Sequence, residues 1–458
     1  MPDIRPFRAL RFDPEAVGDL SPIISPPYDV ISPARQVELA RRHPQNVVRL
    51  DLPLDEPGDE PESRYRRAAR DLVAWRSQGL LRKDRESALY AYEQDYALPD
   101  GGRRTQRGFF ARLRLEPYGP DGGILPHERT LSAPREDRYR LLRAVGVNIS
   151  PVVLLYRDRP GGDAGRALAD VASTPPLVEV TDDEGTRHRL WSLPASPLVA
   201  GSIPARLIDA ASAAPLTIAD GHHRYETALR YHDERHRDRQ HCEEAPFDFT
   251  LALLLATSEP ITVMATHRVL LGGPGGPELL EALGRLFDVE VLPSAEALCS
   301  AFPAGRRGPG PGEPRVLPGD AGSEAGGDRG AMPRLGLWTG GRAAVLRARR
   351  DAFEPLLDPA ASETSRWLDV TVLATALERV AGLDRAATAS GGRLAYTKDA
   401  AEAVAMAGGG SADAAFLLDP TPVEAVLRVA AAGEVMPQKS TYFYPKPVTG
   451  LVFNPHEW

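Results

Sequence analysis

The segment Ala219-Asp220-Gly221-His222-His223-Arg224 places a carboxylate, a glycine, two imidazoles and a guanidinium on consecutive residues. An apolar run at 215–219 predicts a short buried strand before them, and the helical spacing of the apolar residues after them predicts a helix. The segment is therefore expected to form a tight strand-to-helix turn. Gly221 allows an unusual backbone conformation there, and the start of a helix favours anions through its N–H groups and dipole.

The polar residues of this segment, which we call the Asp220 box (219–224), have chemistry suited to phosphate. Asp220 can bind a metal, act as a base or cap the helix. His222 and His223 can neutralise or protonate a phosphate, and Arg224 can hold one through two hydrogen bonds. The alternative is a capping aspartate followed by surface histidines. Four polar side chains of this kind around a glycine pack poorly into a core, so we expect the box to serve chemistry.

The bulk composition predicts a globular protein of two or three domains, because 458 residues are too many for one ordinary core. A net charge of −8 argues against a broad nucleic-acid surface. Two cysteines make a disulfide framework or a cysteine zinc site improbable. No apolar run is long enough to span a bilayer, and the N-terminus lacks the apolar core of a signal peptide. We therefore expect a cytoplasmic protein without a membrane partner.

Lysine is rare in this chain, with four lysines among 55 lysines and arginines. In such an arginine-rich sequence a lysine that persists can be one whose compact point charge arginine cannot replace. Lys439 and Lys446 lie seven residues apart in the segment 436–446, around three aromatic residues. They are either anion contacts or two surface lysines.

The sequence pattern mixes helices with strands and contains no evident internal repeat. It predicts helices at 33–42 and 137–145 and strands at 249–256 and 261–269. A stretch rich in glycine and proline at 303–334 is expected to be a disordered insertion. We therefore divide the chain into an N-terminal α/β region (1–120), a central region (121–302), this insertion, and a C-terminal α/β region (335–458).

Two further motifs carry residues suited to catalysis or anion binding. In Pro126-His127-Glu128-Arg129-Thr130 and the charged run 134–138, Glu128 can serve as a general base and Arg138 as a phosphate clamp. A solvated charged loop is the alternative, and the residues alone slightly favour it. In Thr266-His267-Arg268, His267 can add an anion contact, although such a pair is more often structural. The chain has no Gly-Lys-Ser/Thr phosphate loop and no His-Glu-x-x-His zinc helix.

These motifs together resemble a widespread bacterial and archaeal family labelled a domain of unknown function. The resemblance is nearly full-length and excludes the insertion. Its segments are Ile4-Arg5-Pro6-Phe7, Ser25-Pro26-Pro27-Tyr28-Asp29-Val30-Ile31, Pro126-His127-Glu128 with Thr130, Asp137-Arg138, Asn148-Ile149-Ser150-Pro151, the Asp220 box, Thr266-His267-Arg268 and 436–446.

A more distant resemblance links the order of Pro-His-Glu and Asp-Gly-His-His-Arg to the ParB/sulfiredoxin superfamily and its free serine kinases. It implies a ParB/sulfiredoxin-like central core that binds phosphate, flanked by α/β extensions. It also implies that Glu128 is the base, that Asp220 assists catalysis or binds Mg²⁺, and that His222, His223 and Arg224 hold phosphate. The spacing from Glu128 to Asp220 is longer here than in a minimal domain of that type.

The leading hypothesis is an enzyme, a small-molecule phosphotransferase such as a free L-serine kinase. It would use a nucleotide or pyrophosphate as co-substrate together with Mg²⁺. In this hypothesis Glu128, Asp220 and His223 are catalytic, and the phosphate or nucleotide is bound by Gly221, His222, Arg224, Arg138, His267, Lys439 and Lys446. The alternatives are a ParB-like nucleotide- or DNA-binding regulatory module without turnover and a hydrolase of phosphate esters or nucleotides. Salt-dependent DNA binding without turnover would favour the regulatory module.

Overall fold

A computed structural model of the chain describes residues 1–99, 101–119, 122–130, 132–158, 162–238, 244–302, 332–384 and 392–458. It divides into two units that are interleaved along the sequence. Unit 1 comprises Met1–Pro126, Thr130–Ile261 and Pro445–Trp458, and unit 2 comprises His127–Arg129 and Thr262–Tyr444. The predicted region 121–302 therefore contributes strands to both units. Residues 303–331 of the predicted insertion lie outside the described residues.

Unit 1 is built on a mixed sheet whose strands run in the order β6-β11-β8-β12-β5-β4-β10-β9, with β1 paired to β5. Most neighbours are antiparallel, but β11 with β6 and β12 with β8 are parallel. The central strands β8 and β12 are buried along their whole length, which explains their continuous apolar sequences. The strands of unit 1 are β1 (Ile4–Arg5), β2 (Leu10–Phe12), β3 (Leu81–Lys83), β4 (Ala88–Ala97), β5 (Arg103–Arg114), β6 (Ile124–Leu125), β7 (Val147–Asn148), β8 (Val152–Tyr156), β9 (Val178–Thr181), β10 (Arg187–Pro194), β11 (Leu216–Asp220), β12 (Phe249–Ala256) and β21 (Asn454–Pro455).

Helices cover this sheet with their apolar faces. The main core joins side chains of the central strands with Leu168 of α6, Leu207 of α7 and Tyr225 of α8. The α-helices of unit 1 are α1 (Pro14–Val17), α2 (Pro33–Arg42), α3 (Val48–Asp51), α4 (Ser63–Ser77), α5 (Ser132–Val145), α6 (Asp163–Ala172), α7 (Ile203–Ser212) and α8 (His222–Asp238). Short 3-10 helices occupy Tyr28–Val30 and Pro246–Asp248.

Unit 2 contains a six-stranded antiparallel sheet in the order β15-β17-β16-β19-β14-β18, and β13 pairs separately with β20. Its core joins Val269 and Leu417 of the sheet to Leu298 and Ala403 of two helices. The strands are β13 (Thr262–Met264), β14 (His267–Leu270), β15 (Phe287–Leu292), β16 (Arg334–Thr339), β17 (Arg342–Ala348), β18 (Leu394–Thr397), β19 (Ala414–Leu417) and β20 (Tyr442–Tyr444). The α-helices are α9 (Gly276–Gly284), α10 (Ala295–Ala301), α11 (Arg350–Phe353), α12 (Glu363–Arg366), α13 (Asp369–Ala381), α14 (Ala400–Gly408) and α15 (Val423–Ala431).

The mixed α/β class predicted from sequence is confirmed, and so are the helix at 33–42 and the strand at 249–256. The single strand predicted at 261–269 is wrong, because this stretch forms two strands of different sheets. β13 pairs with β20, whereas β14 pairs with β18 and β19. Among the described residues, no helix is both long and apolar enough to cross a membrane.

Candidate functional site

Asp220 is positioned by a strand that ends in an irregular pairing. Leu216 and Ile218 of β11 are fully buried and fix the strand in the core. Against β8 the register shifts between Ile218 and Asp220, as in a β-bulge. Such bulges re-aim the side chain that follows them and recur beside active sites. The predicted strand-to-helix turn is confirmed, since α8 begins at His222.

Gly221 is required at this turn for two reasons. Its φ is +93°, a backbone conformation that residues with a side chain rarely adopt. A Cβ atom there would also lie 3.0 Å from Nε and 3.2 Å from Cζ of Arg224. The glycine therefore lets the guanidinium of Arg224 lie directly against the turn.

Four charged side chains of unit 1 meet at this turn, and we call Asp29, Asp220, Arg224 and Lys446 the Asp220 cluster. Arg224 donates to Oδ2 of Asp220, and Lys446 Nζ donates to Oδ1 of the same carboxylate. Lys446 Nζ also donates to Oδ2 of Asp29 at 2.9 Å. The side chains of Asp220, Arg224 and Lys446 are 17%, 10% and 11% exposed. The predicted residues Asp220, Arg224 and Lys446 are thus brought together, the last from far along the chain.

Opposite charges hold Asp220, Arg224 and Lys446 ionised despite burial. Burial alone would raise the pKa of Asp220, but the positive charges of Lys446 and Arg224 outweigh it and hold this pKa well below 3.8. Burial likewise opposes the charge on Lys446, but Asp220 and Asp29 raise its pKa above the ordinary value. The cluster is therefore a network of fixed charges at the start of a helix.

A second buried layer supports Arg224. Arg224 also donates to the carbonyl oxygen of Pro151, while its Nε has no hydrogen-bond partner among the described residues. A small cavity of about 50 Å³ is lined by Arg224 with Asp51 and Arg138 among others. Burial raises the pKa of Asp51, although Arg138 and Arg224 oppose this shift.

Arg138, predicted as a phosphate clamp, is bonded to protein groups instead of projecting into solvent. It is 5% exposed, and its Nε donates to Oδ2 of Asp137 at 2.8 Å. It also donates to the carbonyl oxygen of Asp51 and lies 4.1 Å from the ring centre of Tyr28. Burial raises the pKa of Tyr28 to about 12, so the ring stays neutral. These contacts connect α3 to α5. A phosphate-binding role of Arg138 stays a prediction.

The two histidines of the box open α8. His222 is buried, and its electrostatic interaction with Asp220 lowers the pKa of that carboxylate less than the charges of Lys446 and Arg224 do. His223 is half-buried. Their phosphate-binding and catalytic roles stay predictions.

Glu128 and Lys439 lie together in unit 2. Oε1 of Glu128 accepts a hydrogen bond from the backbone N–H of Lys439 at 3.0 Å. Glu128 also forms a bridge in parallel orientation with Met436, and Met436 N–H donates to His127 O at 2.9 Å. Lys439 has a φ of +57°, which is uncommon for a residue with a side chain. His127 and Glu128 therefore hold the loop that carries Lys439.

His267 and Arg268 are both buried in unit 2. Arg268 donates to the carbonyl oxygens of Thr266 at 2.6 Å and Lys439 at 3.2 Å, and burial lowers its pKa to about 10. His267 is 1% exposed, and its Nδ1 accepts the N–H of Leu418 at 3.2 Å. Burial and the charge of Arg268 lower the pKa of His267 to about 4, so the ring is neutral at physiological pH. A neutral buried ring is poorly suited to neutralise an anion, and the predicted phosphate contact of His267 stays untested.

Sequence reasoning missed Asp29, Tyr28 and Asp51 as partners of the site. Asp29 and Tyr28 belong to Ser25–Ile31, one of the segments on which the family resemblance rests. That resemblance could have marked both residues as candidates for the site. Nothing in the sequence linked that segment to Lys446, because their contact spans more than 400 residues.

Magnesium prefers oxygen ligands such as the carboxylate of Asp220. The contacts of Asp220 show whether this carboxylate can bind the ion directly. Both oxygens of Asp220 accept bonds from cationic groups, and Asp29 shares Lys446 with it. A magnesium ion bound directly to Asp220 would have to displace one of these cations. The residues in this arrangement therefore fit a direct magnesium site poorly, and the magnesium role of Asp220 stays a prediction.

Comparison with known proteins relates the chain to one family and to several solved structures. A family model described as a protein of unknown function (DUF1015) matches residues 4–371. Similar solved structures include a free serine kinase in complex with AMP, with 14% identity, a TM-score of 0.34, and coverage of 75% of this chain and 91% of that chain. A conserved hypothetical protein from Pyrococcus furiosus has 14% identity, a TM-score of 0.33, and coverage of 75% and 93%.

SbnI with C-terminal truncation from Staphylococcus aureus has 10% identity, a TM-score of 0.32, and coverage of 73% and 85%. No curated protein matches the chain. Similarities of this strength do not assign an activity to the chain.

Proposed function

Because the chain belongs to DUF1015, a family of unknown function, we propose its activity from the Asp220 cluster: it is a small-molecule phosphotransferase. The acceptor is the hydroxyl group of a small molecule such as free L-serine, and the donor is a nucleotide or pyrophosphate. The proposal rests on one observation: Arg224 and Lys446 both form ion pairs with Asp220 at the start of α8.

Phosphoryl transfer depends on this kind of arrangement. The reaction needs little covalent participation by the protein, and positioning with charge stabilisation supply most of the catalysis. A helix start and two fixed cations attract phosphate oxygens. Asp29 and Asp220 hold Lys446 in place, so the cation does not have to be ordered when a phosphate binds.

The proposed steps assign a role to each group. Glu128, chosen for its Pro-His-Glu motif, accepts the proton of the acceptor hydroxyl as the new oxygen–phosphorus bond forms and the bond to the donor's leaving oxygen breaks. Arg224, Lys446, His222 and His223 neutralise the transferred group, and Asp220 orients the two cations. Lys439 is proposed as a further phosphate contact. Magnesium carried by the donor phosphates would add charge neutralisation when bound.

The test is an assay of the purified full-length chain with L-serine, Mg²⁺ and, in separate reactions, ATP, ADP or pyrophosphate. Formation of phosphoserine, followed by mass spectrometry and phosphorus NMR, is the expected result. If none of the donors yields phosphoserine while circular dichroism shows a folded protein, the serine-kinase proposal is wrong. Release of phosphate without an acceptor would identify a hydrolase, and nucleotide binding without turnover would identify a binding module.

Two substitutions test the assigned roles. Asp220→Asn and Glu128→Gln are each expected to lower kcat at least about 100-fold, as loss of a general base or a charge-orienting group does. Asp163→Asn is the control, because Asp163 pairs with Arg206 on the surface of unit 1, the unit that contains Asp220. Equal activity of all three variants would remove Asp220 and Glu128 from the mechanism.

A further inference from the structure

Three side chains of metal-binding type lie together near the C-terminal end of α8. His232 and His236 are four residues apart on one helix and therefore share a face. Asp248 ends the 3-10 helix Pro246–Asp248 and faces them. Its Oδ1 lies 2.6 Å from Nε2 of His236 and 3.6 Å from Nε2 of His232. One potential ligand atom of each residue lies within 4.8 Å of the other two.

Neighbouring groups orient these side chains as metal ligands are commonly oriented. Nδ1 of His232 lies 3.0 Å from Oδ1 of Asp233, so a proton on Nδ1 leaves Nε2 as the acceptor that faces Asp248. Oδ2 of Asp248 accepts the N–H of Ala245 at 2.8 Å, which fixes the carboxylate and points Oδ1 at the histidines. One oxygen of the carboxylate is thus held by the backbone, and the other faces the two histidines.

The site is also accessible to an ion from solvent. The side chain of Asp248 is 5% exposed, while those of His232 and His236 are 25% and 28% exposed. The centres of the two imidazole rings are 4.6 Å apart. The ring of His236 packs against Phe247, with 5.3 Å between the ring centres. The buried carboxylate and the two partly exposed imidazoles supply three potential ligands. The remaining coordination position is open to solvent.

We propose that His232, His236 and Asp248 bind one divalent transition-metal ion, with zinc as the expected ion. Two imidazoles and one carboxylate with an open position are a common zinc donor set. Imidazole favours zinc and its neighbours, whereas magnesium prefers oxygen ligands and water. The ion ties the end of α8 to the segment that leads into β12.

This metal site is distinct from the Asp220 cluster. His222 at the start of α8 and His232 are ten residues apart, which corresponds to about 15 Å along a helix. The proposal therefore does not depend on phosphotransferase activity, and it stands or fails by metal binding alone.

The experiment uses the full-length chain, freed of metal with a chelator and then titrated with Zn²⁺ and Co²⁺. One ion per chain is expected by calorimetry and elemental analysis, together with a visible Co²⁺ absorption band and a higher thermal midpoint with Zn²⁺. His232→Gln and His236→Gln should each abolish the band and the thermal shift. Asp233→Asn should weaken zinc binding about 10- to 100-fold, because it removes only the orienting carboxylate.

His43→Gln, on the loop after α2, is the matched control and should bind zinc like the original chain. The two histidine variants replace partly exposed rings, and circular dichroism confirms that they are folded before titration. The proposal is overturned if the original chain binds no zinc, if folded His232→Gln and His236→Gln bind it unchanged, or if Mg²⁺ competes equally.

Discussion

At the scale of single residues, loss of the contacts of Lys446 should lower both the stability of the protein and its proposed activity. Its ammonium group balances the carboxylates of both Asp220 and Asp29 in a largely buried position. Lys446→Met leaves these two negative charges facing each other, so we expect the free energy of unfolding to fall by about 3–5 kcal/mol, the usual cost of breaking a buried ion pair. Urea unfolding at neutral pH measures this loss, and the proposed phosphotransferase activity should disappear with it.

Lys83→Met is the control for this substitution. Lys83 is a similarly buried lysine of unit 1, but it bonds to Glu457 and Trp458 at the end of the chain. It should retain activity even where it loses stability. Lys446→Arg should restore part of the stability but not the activity, because a planar guanidinium cannot reproduce a compact ammonium. Full activity of Lys446→Met would contradict both the charge argument and the proposed function.

Gly221 allows a test of the turn geometry alone. Gly221→Ala should destabilise the protein by about 1–3 kcal/mol, because alanine is strained at a φ of +93°. Its Cβ would also push the guanidinium of Arg224 away from Asp220. Gly185→Ala provides the comparison, since Gly185 has a φ of +76° and nothing lies within 4 Å of the position that an added Cβ would take. Thermal unfolding of both variants should show a larger loss for Gly221→Ala, and equal losses would mean that the contact with Arg224 is unimportant.

At the scale of secondary-structure elements, Arg138 joins helices rather than presenting a free cation. It bonds to Asp51 at the end of α3 and to Asp137 in α5, and it stacks on Tyr28. Arg138→Gln should therefore lower the free energy of unfolding by about 3–5 kcal/mol, since Asp51 would keep a buried charge without its partner. Urea unfolding checks this, with the surface variant Arg206→Gln as the control. A stable Arg138→Gln variant with poor donor binding would instead support the predicted phosphate clamp.

Elements formed by local patterns could be predicted from sequence, whereas those defined by distant partners could not. The apolar run of β12 and the Ser-Pro start of α2 are local signals, and both elements are found where they were expected. The stretch 261–269 is apolar enough for one strand, but its halves pair with partners more than 120 residues away, and the sequence does not encode those partners locally. Residue type placed Asp220, Arg224 and Lys446 among the site candidates, but only the fold reveals that Asp29 bonds to Lys446.

At the scale of the whole molecule, the chain leaves unit 1 after Ile261 and returns to it at Pro445. The returning segment is held by buried polar contacts. Asn454 pairs with Asn148 at 2.7 Å, and Arg112 donates to the carbonyl oxygen of Pro455 at 2.9 Å. Anchoring of this segment is what delivers Lys446 to Asp220, so the cluster depends on the folding of unit 1 as a whole.

Two histidines with a lowered pKa, His267 in unit 2 and His456 in unit 1, should make the fold sensitive to acid. Burial lowers the pKa of His267 in unit 2 from 6.5 to about 4, and that of His456 in unit 1 from 6.5 to about 3. Unfolding restores the ordinary pKa, so the unfolded chain takes up these protons first as the pH falls. The stability that each neutral ring contributes is present above pH 6.5 and is lost as the pH falls toward its folded-state pKa. Each histidine adds at most about 1.4 kcal/mol per pH unit to this loss.

The measurement is the thermal midpoint of the original chain, His267→Gln and His456→Gln between about pH 7.5 and pH 4.5, the range in which these rings become charged on unfolding. Glutamine can replace the acceptor of His267 for the N–H of Leu418 without taking up a proton. Each variant should therefore begin below the original chain at neutral pH and approach it as the pH falls, because only the original chain loses the contribution of that ring. A difference in midpoint that stays constant across the range would show that these histidines do not link folding to protonation.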